Sequence, residues 1–525
     1  MKKLRDLFLG NNDARLNMNY NGIIRFVPLL LAGGFFFVTI LLHAFGPTDW
    51  NVSNPQKLYS FLLLCFVALV AGYSLAVCKG KSAERKMNLN IGRILMVGAV
   101  VFLILFFPLC HLTTGKWFPD VYLGITNTGA AYQITKYYSA TGPKLFFYLR
   151  IILSPFIYVV MPITLFYYPK LSNVQKAFGI SVIVLNIALG IAQGVNKHVA
   201  DICMQLVLVL AILLFSGGKQ TRKKQIAYCL KIIVLILTIC LAFVLYYSNS
   251  MNNRIATDIH IHQNTQVTES TEIPESIEAP ASVPTDEPKV EPTDDSKVEP
   301  TDDSKAEPTD ESNHEGIISQ QPTVNQETVN DVMNSYANFS VGTERKSAFW
   351  DTIIPDRFKP IVNYMISYFC HGYNGLSYAM EEDFTSSLGF GFSDFIRHNV
   401  ARFFGGATFE EAMYQRTYMA KIEKYGWQTG LMWSSFFIFP ASDISFPGTV
   451  LLVFLIGYLF GLSWKDTITT ENPFACAAFF GFTTMVFYFS ANNQMFQTGE
   501  NCLAFCAVLF AWILSRSIHC KEVKK

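Results

Sequence analysis

Leu58–Cys78 reads LYSFLLLCFVALVAGYSLAVC, a stretch without a single charged side chain. A bilayer core of about 30 Å requires roughly 20 apolar residues in helical form, because lipid offers no partner to a bare backbone N–H or C=O. The stretch meets that length. Other runs that meet it lie at 24–45, 92–112, 145–168, 177–194, 199–216, 226–247, 444–464, 473–490 and 499–516. The two runs at 177–194 and 199–216 would, if joined, form a helix of about 40 residues at 1.5 Å each, twice the bilayer thickness. Gly194, Asn196 and Lys197 supply a turn between them. The run at 24–45 follows Met1–Arg25, which is too long and too charged for a cleaved signal peptide, and is read as an anchor. The expected fold is an all-α polytopic membrane protein with about ten transmembrane helices.

Composition agrees with that reading. Of the 525 residues 51% are hydrophobic, 14% aromatic and only 15% charged, where a soluble domain carries about a quarter charged. An ordinary water-soluble enzyme is excluded. The net charge of +1 hides a split. Thr268–Glu315 holds 16 Asp and Glu against 3 Lys, which leaves 38 Lys and Arg against 24 Asp and Glu elsewhere. The chain is a basic, apolar protein with an acidic insert.

Lys and Arg in short loops set orientation. Segments 1–25, 79–93, 169–176, 217–225, 465–472 and the tail from Arg516 hold 21 basic residues. The alternate segments 46–57, 113–144, 195–198 and 491–498 hold five. Both termini are therefore expected in the cytoplasm, and the long segment between the seventh and eighth runs outside. The chain divides into a membrane bundle at 1–247, an external disordered linker at 248–335, an external aromatic-rich cap at 336–443 and a membrane bundle with a cytoplasmic tail at 444–525. Of 11 Cys only Cys370 falls in the outer segment, so no disulfide framework is expected there. No Cys/His cluster has zinc spacing and no GxxxxGK[ST] loop is present. No metal, no cofactor and no nucleic-acid partner is expected.

The outer segment has two unlike halves. Octapeptide repeats at 284–315 read PTDEPKVE, PTDDSKVE, PTDDSKAE and PTDESNHE. A proline in every unit, low hydrophobicity and high charge prevent core formation, and the repeats read as an extended tether. In the cap, Asn363–Met380 (NYMISYFCHGYNGLSYAM) has apolar side chains at helical spacing until Gly372 and Gly375. It reads as an interfacial amphipathic helix with Tyr364, Tyr368, Tyr373 and Tyr378 as an aromatic belt. A second helix is expected over Phe409–Tyr425, before Trp427 and Trp433 return the chain to the bilayer.

Charges at membrane depth are costly and mark candidate sites. Arg150 lies about one turn inside the outer end of the fourth run; the plain alternative is that it snorkels to headgroups. NKHVAD at the outer hairpin places Lys197 and Asp201 at i and i+4, either as ligand contacts or as an ion pair fixing the turn. Lys231 reads as snorkelling and Glu500 as the outer border of the tenth run. In the cap, Arg345, Arg357, Arg397, Arg402 and Arg416 recur among aromatics. A guanidinium fork suits phosphate and aromatic faces suit sugars, although solvated surface arginines are the plain reading. His371 is either a general base or a satisfied interface histidine.

The layout, with NKHVAD at an outer hairpin, YFCHGYNGLSYAM followed by FSDFIRHNV, and WQTGLMWSSFFIFPASDISFPGTVLLVFLIGYLFG with Asp443, Gly448 and Gly457, resembles the O-antigen polymerase (Wzy-type) oligosaccharide repeat-unit polymerases. The likeness covers nearly the whole chain apart from the acidic repeats, which depart from the family pattern. The resemblance implies a GT-C-like glycosyltransferase of the bacterial inner membrane that polymerises undecaprenyl-diphosphate-linked repeat units into O-antigen or capsule on the outer face. It would use no nucleotide or metal, and would work with membrane lipids, a chain-length regulator and a flippase as partners. In that setting Arg150, Lys197 and Asp201 would bind the lipid diphosphate, Arg345 or Arg397 would complete the cationic site, and His371 would act as base. An O-antigen ligase shares layout and substrate, and a flippase is a further alternative that should show internal repeat symmetry.

Overall fold

The computed structural model describes residues 22–50, 52–81, 89–215, 222–269, 342–427, 429 and 432–522. The acidic repeats lie outside the described residues. Each of the ten apolar runs is helical: α1 Gly34–Phe45, α2 Pro55–Lys79, α3 Ile91–Thr114, α4 Lys144–Tyr158, α5 Asn173–Ala192, α6 Asn196–Phe215, α7 Arg222–Glu269, α8 Ile438–Thr469, α9 Pro473–Phe487 and α10 Gly499–Glu522. Among the described residues eight helices are long and apolar enough to cross a membrane; Leu29–Phe45 and Pro473–Phe487 are shorter. Helix α9 is apolar all round and buried from Ala475 to Val486, enclosed by other helices.

Local chemistry sets the helix ends. Asn54 caps α2 by accepting from Lys57 N at 3.1 Å, with Pro55 in the first helical position. Asn90 caps α3, a Ser172–Gln175 capping box opens α5, and Asn472 with Pro473 opens α9. Gly194 turns α5 into α6 with φ +64°, and any Cβ there would lie 2.6 Å from the Thr128 carbonyl oxygen. Pro155 and Pro162 bracket a break at Val159, so the fourth run is α4 plus a short helix Val160–Phe166.

Two departures from the sequence reading concern the outer segment. Helix α7 continues to Glu269 instead of ending where the linker was expected at 248. Asn249 and Asn253 on its extension donate to the Ile125 carbonyl oxygen at 2.9 and 3.1 Å. The cap also differs. Lys359–Cys370 is one helix, but Gly372–Ala379 is a second, buried one rather than an exposed break. Tyr373 is fully buried and its hydroxyl meets Thr39 Oγ1 at 2.9 Å, so it belongs to the core and not to an aromatic belt. The glycines allow this, because a Cβ at Gly372 would meet the Ser490 carbonyl oxygen at 2.5 Å. The expected Phe409–Tyr425 helix is divided into Gly406–Tyr414, Tyr418–Ile422 and a 3₁₀ turn, Thr417 capping the middle piece.

Helices α2 and α8 form the central crossing. Cβ atoms at Gly72 and Gly457 would lie 2.0 Å from the Phe454 and 2.4 Å from the Leu69 carbonyl oxygens, so backbone approaches backbone there. A two-stranded antiparallel sheet pairs Thr48–Trp50 with Gly342–Glu344. It ties the start of the cap to the end of α1, and Tyr148 near the start of α4 bonds Asn399 and Arg402 of the cap. Ring contacts of Tyr247 with Tyr364 and Tyr368 join α7 to the cap as well, so these segments meet at one end of the bundle.

Candidate functional site

A cavity of about 220 Å³ lies at that same end, among α3, α4, α5, α6 and α10. Phe102, Leu105, Phe106 and Leu109 of α3 make one wall apolar. Arg150, Gln193, Lys197, His198, Asp201, Gln205 and Glu500 bring polar groups to the others. The three residues expected at a lipid diphosphate, Arg150, Lys197 and Asp201, therefore share one cavity.

Each is held there by its helix. Arg150 projects from α4, between Tyr148, which bonds the cap, and Ser154, whose Oγ donates to the Glu500 carbonyl oxygen at 2.9 Å. Lys197 and Asp201 come from the first turns of α6, directed by the Gly194 turn. Gly190 of α5 permits the close approach, since its Cβ would stand 2.8 Å from His198 Cβ. Glu500 sits in the first turn of α10, where the positive end of the helix dipole favours a carboxylate.

The charges are paired across the cavity. The Arg150 guanidinium donates through Nη2 to Glu500 Oε1, and Lys197 Nζ is 3.6 Å from Asp201 Oδ2. The Tyr488 hydroxyl also bonds Asp201. Formal charges cancel, yet one donor, Arg150 Nε, and two acceptors, Gln205 Oε1 and Asp201 Oδ1, have no hydrogen-bond partner among the described residues. A guanidinium carries its donors in a fixed fork, so a turn away from Glu500 would free the arm that a planar, bidentate acceptor needs. The arrangement can receive an amphiphile, anionic at one end and apolar along the other.

The three residues expected to do chemistry lie elsewhere. His371 is buried, stacked on Trp427 with centroids 6.1 Å apart, and its Nδ1 donates to the Ser367 carbonyl oxygen at 2.6 Å. Burial lowers its pKa below the ordinary imidazole value, against the opposing bonds to the backbone of Ser367 and Trp433. It is a packed histidine. Arg345 is a staple: Nη1 donates to the Ala44 carbonyl oxygen and Nη2 to Asp49 Oδ1, both at 3.0 Å. Arg397 is buried, paired with Asp394 at 2.6 Å and seated 5.0 Å from the Tyr414 ring centroid. None of the three lines the cavity.

Asp443 has a structural task as well. Its carboxylate accepts from Ser387 Oγ at 2.5 Å and from the N–H groups of Gly389, Gly391 and Phe392 at 2.8, 3.1 and 2.8 Å. It thereby organises the loop leading into Asp394–Val400. That short helix comes close to Glu500, since a Cβ on the adjacent Gly499 would meet the Phe395 ring at 2.4 Å and Ile151 Cδ1 at 2.9 Å.

Glu500 is the residue that the sequence reading undervalued. It stands at the border of an apolar run, which is also where an ordinary interfacial acid stands. Gln193 and Gln205 carried a weak signal as amides near the ends or inside apolar runs. A search of known families, curated proteins and solved structures finds no match for this chain.

Proposed function

We propose that the chain is a lipid-linked glycan transferase: it moves a growing oligosaccharide from a polyprenyl diphosphate carrier onto the terminal sugar hydroxyl of another lipid-linked repeat unit. The setting would be the outer face of a bacterial inner membrane, with both termini in the cytoplasm. The observation that carries this reading is the meeting of Arg150 and Lys197, from different helices, in one cavity with an apolar wall at the cap end of the bundle. A diphosphate on a long hydrocarbon tail has that same split character.

In this reading Arg150 and Lys197 hold the diphosphate, and their charge stabilises it as it leaves. Glu500 replaces His371 as the base. As the Arg150 fork turns toward phosphate, the Glu500 carboxylate accepts the proton of the acceptor hydroxyl. The acceptor oxygen forms its bond to the anomeric carbon while the bond from that carbon to the diphosphate oxygen breaks, and the carrier departs with the electron pair. Asp201 keeps Lys197 oriented. Arg345 and Arg397 hold the cap in place.

The test is the lipid and polymer profile of cells lacking the chain. A polymerase predicts single repeat units on the final acceptor and no polymer. Long chains left on the carrier would mean a ligase, and single units trapped on the cytoplasmic side would mean a flippase. Either outcome removes the proposal.

A further inference from the structure

We propose a second lipid site, independent of the glycan reading, in a groove that shares no lining residue with the cavity: an anionic phospholipid bound with its phosphate at Arg93 and an acyl chain in the groove beside it. The groove encloses about 420 Å³ and is lined by Ile94, Val97, Phe156, Val159, Ala507 and Val508, with Arg93 at one end. Its lining is otherwise apolar.

The sequence makes this groove in three ways. The Pro155 break bends α4 at Val159, so the helix cannot follow its neighbours smoothly. Gly98 then brings α3 onto the bend, where a Cβ would lie 2.1 Å from the Phe156 carbonyl oxygen. Ala507 and Ala511 of α10 leave volume that larger side chains would fill. The result is an apolar recess bounded by α3, α4, α9 and α10.

Arg93 gives the recess its direction. It stands in the first turn of α3, where a spanning helix would meet the headgroups, while the groove extends one turn inward to Val97, about 6 Å along the axis. A phospholipid places phosphate and chain in that order. Arg93 is exposed, and among the described residues no carboxylate pairs with it. A cation in the first turn gains nothing from its own helix dipole, which favours anions there. Its charge is complementary to a phosphodiester, and a lipid without a compensating amine keeps that attraction whole. A polyprenyl tail would also be apolar, but it would bring its phosphates to the cavity end and leave Arg93 unanswered.

The test uses the full-length protein, delipidated in detergent and titrated with phosphatidylglycerol or phosphatidylcholine of matched chains, bound lipid being counted by native mass spectrometry. The wild type should bind phosphatidylglycerol about fivefold more tightly, the worth of one basic residue facing an anionic lipid. Arg93→Ala should abolish that preference and leave phosphatidylcholine binding unchanged, and Arg93→Lys should retain it. Ala507→Trp should reduce both lipids by filling the groove. Equal affinities in the wild type, or an unchanged preference in Arg93→Ala, would overturn the proposal. So would a polyprenyl phosphate, in place of phospholipid, as the lipid lost from Ala507→Trp purified out of native membranes. None of these readouts requires glycan transfer, so the site can fail without the transferase reading and the reverse.

Discussion

Glu500→Gln separates binding from chemistry in the cavity more cleanly than any other single change. The amide keeps the volume of the acid and can still accept from Arg150 Nη2 through its oxygen, so the local geometry survives. What is lost is a proton acceptor. General-base removal is worth about 10²- to 10⁴-fold in rate, and transfer should fall by that amount. Binding of the polyprenyl diphosphate should hold or tighten, because a negative charge beside the diphosphate has gone. Arg150→Ala should do the opposite. It removes a guanidinium contact worth about 2–4 kcal/mol of transition-state stabilisation, a loss of about 30- to 1000-fold, and it weakens donor binding as well. Arg150→Lys keeps the charge but loses the fork, and should remain clearly impaired.

Stability has to be kept apart from these effects. The Arg150 and Glu500 side chains are 22% and 35% exposed, so breaking their pair costs well below the several kcal/mol of a fully buried one, on the order of 1 kcal/mol. The assay is therefore polymer length and accumulated single repeat units in membranes, at matched abundance of each variant, with donor binding measured on the purified protein. Wild-type polymer from Glu500→Gln would remove the base assignment. Wild-type polymer from Arg150→Lys and Arg150→Ala together would mean that Arg150 only snorkels, and the site would fall with it.

Further expectations follow from the scaffold. Asp443→Asn places an amide NH₂ against the Phe392 N–H and should cost about 2 kcal/mol, read as lower thermal stability and faster proteolysis within Ser386–Phe392. Gly457→Ala should destabilise by about 1–3 kcal/mol because its methyl meets the Leu69 carbonyl oxygen, whereas Gly448→Ala, whose nearest neighbour is the Ile444 side chain at 3.1 Å, should be tolerated; thermal unfolding in detergent compares them. Burial lowers the His371 pKa, so its contribution to stability is present above about pH 6.5 and is lost as pH falls toward the folded value; His371→Gln should flatten the decline in melting temperature between pH 7 and 5. An impermeant thiol reagent on intact cells should modify a cysteine placed by Ser304→Cys but leave Cys370 untouched, since that thiol is fully buried with its Sγ 3.5 Å from the Thr39 carbonyl oxygen; labelling at Ser304→Cys only after permeabilisation would invert the orientation.

The apolar runs were legible because lipid imposes length on any helix that crosses it, and their starts because Asn54, Asn90 and Asn472 cap in the ordinary way. Hydropathy alone does not say what covers an apolar surface. That is why Tyr373 reads as a belt residue although it is core. Regions rich in aromatics and arginine mislead for a related reason. An aromatic beside an arginine is a good sugar-phosphate contact and an equally good internal joint, as Arg397 over Tyr414 and Arg345 across the end of α1 demonstrate.

Charges inside apolar runs were more informative, and the reason is energetic. An arginine or lysine at membrane depth costs several kcal/mol unless it snorkels or something answers it, so Arg150 and the nearby hairpin with Lys197 marked where partners were to be sought. The sequence offered Asp201 to Lys197, because i and i+4 lie on one helix face. It offered nothing adjacent to Arg150, whose partner is 350 positions away in α10. Such a pairing exists only once α4 and α10 lie side by side, where Gly499 leaves room for Ile151 of α4. A buried N–H left without an acceptor is costly, but a structural pair can carry one, as Arg397 Nε does beside Asp394. Arg150 differs in lining a cavity with an apolar wall, where its guanidinium, turned away from Glu500, would meet an anionic, lipid-borne ligand.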